Sequence, residues 1–253
     1  MCGRFVLTST PQEIEALFGI DHLEPPPPPR YNIAPTQPIL IVAAGPQPAA
    51  GSNSPPRRAM LVRWGFLPGW VKDPKGFPLL INARSETAAT KNAFRAAMRH
   101  RRVLVPASGF FEWKRQEGRK SQAYWIRPRA GGTVAFAGLL ETYAEPGGSE
   151  IDTAAILTTS ANPATRHIHD RMPVIIQPDD FSRWLDCVSY GPGEVADLLR
   201  PAANELMEAV PVSDKVNKVA NSGPDILEAV VVHETSVAEE APSTEGGRQL
   251  PLF

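Results

Sequence analysis

The runs TVAFAGLLETY (Thr133–Tyr143) and IDTAAILTT (Ile151–Thr159) decide the fold. Both are apolar stretches with the alternating or buried pattern of strands. Four further runs read the same way: MLVRWGF (Met60–Phe66), RRVLVPA (Arg101–Ala107), AYWIRP (Ala123–Pro128) and MPVII (Met172–Ile176). Short strands are also expected at 3–7 and 39–43. Helical candidates are fewer: Thr90–Arg99, Pro178–Leu185, Gly193–Leu199 and the segment TPQEIEALFG (Thr10–Gly19). In that last segment Thr10 is the N-cap, Pro11 the first helical residue, Glu13 sits in the capping-box region and Gly19 is the stop. Strands outnumber helices, and their alternation is irregular. The expected architecture is α+β, a single domain built on a mixed, curled, barrel-like sheet with a few helices.

Composition narrows the class. The chain has 253 residues, 42% hydrophobic and 21% charged, with a net charge of -1, an ordinary globular balance that can bury a core unaided. Proline is the outlier: 27 residues, about twice the usual ~5%, argue against long helices. No apolar run approaches the ~18 residues of a membrane helix, and MCGRFVLTST lacks the layout of a secretory signal. With only Cys2 and Cys187 there is neither a disulfide framework nor a CxxC metal pair, so no metal or cofactor is implied and the cytoplasm is the default location. Near-zero net charge argues against bulk polycation binding but leaves room for a local basic groove. EPPPPPR (Glu24–Arg30) reads as a stiff connector and Ala44–Arg58 as a low-complexity loop.

Chemistry begins at Cys2. Methionine before a small second residue is normally removed in the cell, which makes Cys2 the N-terminus. A thiol of reference pKa about 8.5 then stands beside an α-amine of about 8, and both are nucleophiles when deprotonated. Such a 1,2-aminothiol closes a thiazolidine on an aldehyde; the alternative is a small residue that packs well. Cys187, after WLD, reads as core. Asn82, Arg84 and Glu86 lie in LLINARSET, and Glu112 lies among aromatics in SGFFEWK. A carboxylate so placed serves as a general acid if its pKa is raised, or else faces water. His169, in HIHDRMP, is the stronger functional candidate of its pair; His167 reads as a surface residue. RWGFLPGW (Arg63–Trp70) offers rings that either stack on bases or cap a core, and RHRR (Arg99–Arg102) is either a phosphate patch or a solvated helix end.

Eight motifs occur in order: MCGRF, YNIAPTQ (Tyr31–Gln37), RWGFLPGW, INARSET (Ile81–Thr87), GFFEWK (Gly109–Lys114), LTTSAN (Leu157–Asn162), IHDRMP (Ile168–Pro173) and VSDKVN (Val212–Asn217). Together they resemble the SRAP family, the SOS-response-associated peptidase-like proteins, over roughly residues 2–230. The resemblance implies a sensor of abasic sites in single-stranded DNA that crosslinks to the lesion through a thiazolidine at the N-terminal cysteine. It implies that Cys2 crosslinks, that Asn82 holds the cysteine's N-terminus, and that Glu112 and His169 form an acid–base pair. Arg84, with Arg4 and Arg63, would contact phosphates, and Pro35 and Trp70 would press on flanking bases. Where bacterial members carry a second Trp after PGW, this chain has Val71.

The domain is expected to span residues 1–232, followed by an acidic, disordered tail, 233–253. That tail ends in QLPLF, similar to the QLxLF peptide with which bacterial replication and repair proteins bind the sliding clamp. Gln249 would anchor it while Leu250, Leu252 and Phe253 fill an apolar pocket; the alternative is a chance ending. A cytoplasmic, nucleoid-associated monomer is the default. Three rivals remain: an N-terminal-nucleophile amidotransferase, which would also begin MCG, a non-covalent single-strand DNA-binding module, and a peptidase.

Overall fold

Thirteen strands form among the described residues, which in the computed structural model are 2–21, 23, 28–45, 57–115, 118, 120–145 and 147–232. They are β1 (Phe5–Leu7), β2 (Arg30–Ile33), β3 (Pro38–Ala44), β4 (Arg57–Trp64), β5 (Asn82–Arg84), β6 (Arg102–Ala107), β7 (Gly109–Lys114), β8 (Gln122–Pro128), β9 (Val134–Ala144), β10 (Glu150–Ser160), β11 (Arg171–Pro173), β12 (Ile175–Ile176) and β13 (Met207–Val212). Four short helices accompany them: α1 (Pro11–Phe18), α2 (Ser85–Ala88), α3 (Arg95–His100) and α4 (Phe181–Leu185). Most of the polyproline stretch and of the Ala44–Arg58 loop, and the whole tail with Gln249, Leu250, Leu252 and Phe253, lie outside the described residues.

The two runs read first, β9 and β10, pair along their length, with Ala144 opposite Glu150 and Gly138 opposite Ile156. Their pairing closes a barrel. β10 pairs parallel with β4, β4 antiparallel with β3, β3 with β6, and β6 with β9. The single parallel joint makes the barrel mixed, as expected. β5 and β11 extend from the far end of β10, and β12 adds to β9. A second, antiparallel sheet has the order β13-β8-β7-β1-β2.

The sheets are joined where β6 becomes β7. Ser108 alone separates them, and its N–H donates to Val6 O at 2.7 Å. Gly109 then takes φ 143°, and a Cβ there would lie 2.5 Å from Trp125 Nε1 and 2.6 Å from Ile126 O. Only glycine fits this turn. Behind it an aromatic cluster seals the joint. Phe5 meets Trp64 edge-on at 5.3 Å and Phe136 at 6.2 Å, and Phe110 meets Phe136 at 6.0 Å. All four rings are buried, each worth roughly 1.5–3 kcal/mol for leaving water.

Local signals held where capping chemistry was explicit. Thr10 N–H donates to Glu13 Oε2 at 2.7 Å, Glu13 N–H donates to Thr10 Oγ1 at 3.3 Å, and Gly19 ends α1 at φ 60°. They failed where turn-formers intrude. The helix expected over Thr90–Arg99 forms only as α3, because Thr90 and Asn92 favour turns. Gly193–Leu199 yields one 3-10 turn, Ala196–Leu198, since Gly193 and Val195 are weak helix formers. β13 was hidden by Pro211, which an edge strand tolerates. Cys187, expected in the core, is only half-buried and lies just past α4, its Sγ 3.5 Å from the Arg102 N–H. Among the described residues no helix is long and apolar enough to cross a membrane.

Candidate active site

β1 brings Cys2 to Glu112. Phe5 lies opposite Phe110 and Val6 opposite Gly109, and the Phe111 N–H donates to Arg4 O at 2.9 Å. Carried back, that register sets Gly3 and Cys2 along the Glu112 end of β7. Cys2 is 0% exposed and Glu112 2%. Burial raises the Cys2 thiol well above its ordinary range, and the neighbouring Glu112 carboxylate raises it further. Burial likewise pushes Glu112 up to about 7. Of the two readings of its aromatic context, the buried one holds and the water-facing one does not.

His169 stands on the turn between β10 and β11. Asn162 shapes that turn: its Oδ1 accepts from Thr165 N at 3.1 Å and Thr165 Oγ1 at 2.9 Å, and its Nδ2 donates to Ala202 O at 3.0 Å. Buried Ile168 pins the loop to the core. Nδ1 of His169 accepts the Arg171 N–H at 3.0 Å, which puts the proton of the neutral ring on Nε2. Asp170 Oδ1 is 2.9 Å from the same Nδ1 and becomes its partner when the ring is protonated. Burial, first, lowers the His169 pKa. Near neutral pH the site therefore holds a half-protonated carboxyl on β7 and a neutral imidazole. The Asp170 charge adds to the rise at Glu112, so the two groups share one field.

Asn82 and Arg84 lie on β5, with Asn82 opposite Ile156 and Arg84 opposite Thr158 of β10. Both side-chain amide atoms of Asn82 are buried and lack a hydrogen-bond partner among the described residues. A buried, unmet amide costs free energy and marks a position kept for a ligand or for strain. Arg84 is exposed, and its guanidinium makes no hydrogen bond or ion pair among the described residues. Glu86 spans from α2 to Arg171, with oxygens 2.6 and 2.9 Å from the guanidinium, and Arg171 also donates to Thr158 O at 2.6 Å. That pair ties INARSET to IHDRMP.

The other residues expected to contact DNA lie before β1 (Arg4), between β2 and β3 (Pro35), on β4 (Arg63) and after it (Trp70). Thr36 N–H donates to Trp64 O at 2.8 Å, which sets half-buried Pro35 beside Arg63 at the end of β4. Trp64 Nε1 donates to Ile81 O at 2.9 Å and so fixes the entry to β5. Trp70 is 54% exposed, edge-on to Phe77 at 5.7 Å. Val71 is buried and contributes no surface ring. Arg63 Nη1 donates to Gly65 O at 3.2 Å. Arg4 stands apart, because its guanidinium already serves the protein: Nη1 donates to Asn32 Oδ1 at 2.8 Å and to Val216 O at 2.9 Å. Arg99 and Arg101 are exposed, whereas Arg102 is buried under backbone carbonyls, so RHRR is not one patch. Among the described residues no three His, Cys, Asp or Glu side chains gather as a metal site.

Sequence reasoning passed over Asn32, though a polar residue between Tyr31 and Ile33 in a strand was the signal. Asn32 is 4% exposed, and its Nδ2 faces Val216 O, Lys218 O and Asn221 O at 3.2, 3.1 and 2.8 Å. It thereby seats the VSDKVN loop and the residues after it against β2. Asn32→Leu strands those carbonyls and an arginine, and we expect a loss of about 2–4 kcal/mol in urea unfolding. A loss under about 0.5 kcal/mol, the scale of an ordinary surface change, would show that water replaces the side chain.

Comparison with known proteins places the chain in a family. The model of the SOS response associated peptidase (SRAP) family matches residues 1–219. The abasic site processing protein YoqW of Bacillus subtilis (strain 168) is 38% identical over 231 residues, covering 90% of this chain and 100% of that protein. YedK of Escherichia coli (strain K12), also an abasic site processing protein, is 33% identical over 237 residues, covering 91% and 100%. The abasic site processing protein HMCES of Gallus gallus is 30% identical, covering 88% of this chain and 71% of its own. A crystal structure of a Bacteroides thetaiotaomicron protein superposes with a TM-score of 0.76 at 24% identity, over 91% of this chain and all of that one. The chain is thus an α+β barrel protein, and it belongs to the SRAP family. Abasic-site processing is the activity by which its curated relatives are named.

Proposed function

We propose that this protein, once Met1 is removed, captures abasic sites in single-stranded DNA as a covalent thiazolidine at Cys2. The observation that supports it most is the burial of Cys2, second in the chain, beside a Glu112 carboxyl raised to about 7. An abasic sugar is mostly a closed hemiacetal. Proton transfer at the ring oxygen by Glu112 and neutral His169 opens it to the aldehyde. The Cys2 α-amine attacks C1′ and expels one water, leaving an imine. The thiol then adds to the imine carbon; its proton moves through Glu112 to the nitrogen, and the five-membered ring closes. Overall one water is lost. The buried, unmet amide of Asn82 suits a group that orients the amine or a sugar hydroxyl. Arg84 and Arg63 serve backbone phosphates, and Pro35 and Trp70 press on bases without reading sequence.

The test is a denaturing gel with intact mass, on protein incubated with a single-stranded oligonucleotide bearing one abasic site. The expected product is a heat-stable band whose mass equals Met1-less protein plus DNA minus water. No band from folded, Met1-less protein would sink the crosslink and turn attention to glutamine hydrolysis by the same cysteine.

The QLPLF segment (Gln249–Phe253) completes the proposal as a tether to the sliding clamp, which would raise the local concentration of the crosslinking domain there. Removing Gln249–Phe253 should abolish binding to immobilised clamp and leave crosslinking of free oligonucleotide intact. Undiminished clamp binding would refute the tether.

A further inference from the structure

A cleft of about 400 Å³ opens on the flank of His169, walled by Trp113, Lys114, Arg115, His167 and the His169–Asp170 turn. Trp113, Lys114, Arg115 and His167 have no part in the chemistry above. The cleft is built rather than incidental. Trp113 follows Glu112 on β7, and its indole N–H donates to Asn217 Oδ1 at 2.7 Å, which fixes the ring plane. His167, across the cleft, is exposed and packs edge-on against Tyr124 at 6.4 Å and 82°. Lys114 and Arg115 close the end of β7, and neither has a carboxylate within ion-pair reach among the described residues. Arg115 is exposed, and its charge is felt at His169. Asp170 lines the cleft as well, its exposed carboxylate oxygen 2.9 Å from His169 Nδ1.

A fixed aromatic ring beside two unneutralised cations has the features that bind one nucleotide of a single strand: a stacking face and a phosphate contact. The placement says which nucleotide. A sugar held between Glu112 and His169 carries a phosphate on each side. One side faces β5, where Arg84 waits; the other leaves past the end of β7 and into this cleft.

The geometry points to a nucleotide subsite in which Lys114 and Arg115 bind the phosphodiester on the flank of the lesion away from Arg84, with Trp113 and His167 bounding its base. This rests on the proposal that abasic single-stranded DNA is the substrate.

The test measures non-covalent binding to a strand carrying a tetrahydrofuran abasic analogue, which has no aldehyde and cannot crosslink. Fluorescence anisotropy is read from low to moderate salt for wild type and for Lys114→Ala/Arg115→Ala. The double variant should bind at least about tenfold more weakly at low salt, with the slope of log affinity against log salt shallower by about 1.4, two phosphate contacts at about 0.7 each. A second arm replaces single phosphates by neutral methylphosphonates, one position at a time. One position beside the lesion should weaken wild type and make no difference to the double variant, while Arg84→Ala remains sensitive to it. An unchanged slope and an unchanged phosphate map in the double variant, with a wild type that binds and crosslinks, would overturn this subsite alone. A wild type that fails to bind the strand overturns the substrate as well.

Discussion

Cys2→Ala should yield no heat-stable adduct with an abasic strand, and it should yield one again when borohydride is present. The argument lies in the division of labour at the N-terminus. Alanine keeps the α-amine, so the imine still forms and dissociates. It removes the sulfur that converts the imine into a ring. Hydride reduces the C=N bond to an amine that denaturation does not reverse, and so reports an intermediate that the gel alone misses. Wild type should give its band with or without reductant. Burial and the Glu112 charge hold the Cys2 thiol in its protonated, unreactive form. In the proposed mechanism the sulfur therefore attacks only when a base beside it takes the proton, and the amine goes first. A stable band from Cys2→Ala without reductant would assign the crosslink to another nucleophile. No band even with reductant, from protein shown to have lost its first methionine, would deny the imine.

Much of this arrangement was legible in the chain, for identifiable reasons. The barrel strands show because each is a continuous apolar run, and β9 and β10 are long enough to be unmistakable. α1 shows because its capping box is local chemistry, written in Thr10 and Glu13. β5 and α2 do not show: three and four residues long, they are held by β10 and by the Glu86–Arg171 pair rather than by their own propensity. The site was half legible. Glu112 stood out as a carboxylate among aromatics, and its raised pKa follows from the same burial that made the context apolar. The internal bonds of Arg4 were not legible, because nothing local marks a guanidinium that a loop more than two hundred residues away will engage. Asn32 was passed over for the same reason: its three carbonyls come from residues 216–221. Long-range polar satisfaction leaves no periodic trace in sequence.

Glu112→Gln should slow crosslinking by about two to three orders of magnitude, the usual range for a general acid–base residue, and should make the protein more stable at alkaline pH. The two effects have one cause. In the fold the carboxyl titrates near 7 against an ordinary value of 4.5, because burial disfavours its charged form. Between those values the folded chain holds a proton that the unfolded chain has released. Stability from this group is therefore intact below about pH 4.5, falls as pH rises, and is lost by pH 8, an effect of about 3 kcal/mol. Glutamine has the shape and no charge. Urea midpoints of wild type and variant should coincide near pH 4.5, and the variant should lead by up to about 3 kcal/mol at pH 8. In the rate, wild type should bend near pH 7, where Glu112 gives up the proton that opens the sugar, and the variant should lose that bend. A residue that merely supports the fold would slow the reaction and lower the urea midpoint together. Opposite signs in the two measurements, from one substitution, separate a group held at a free-energy cost for chemistry from one held for structure.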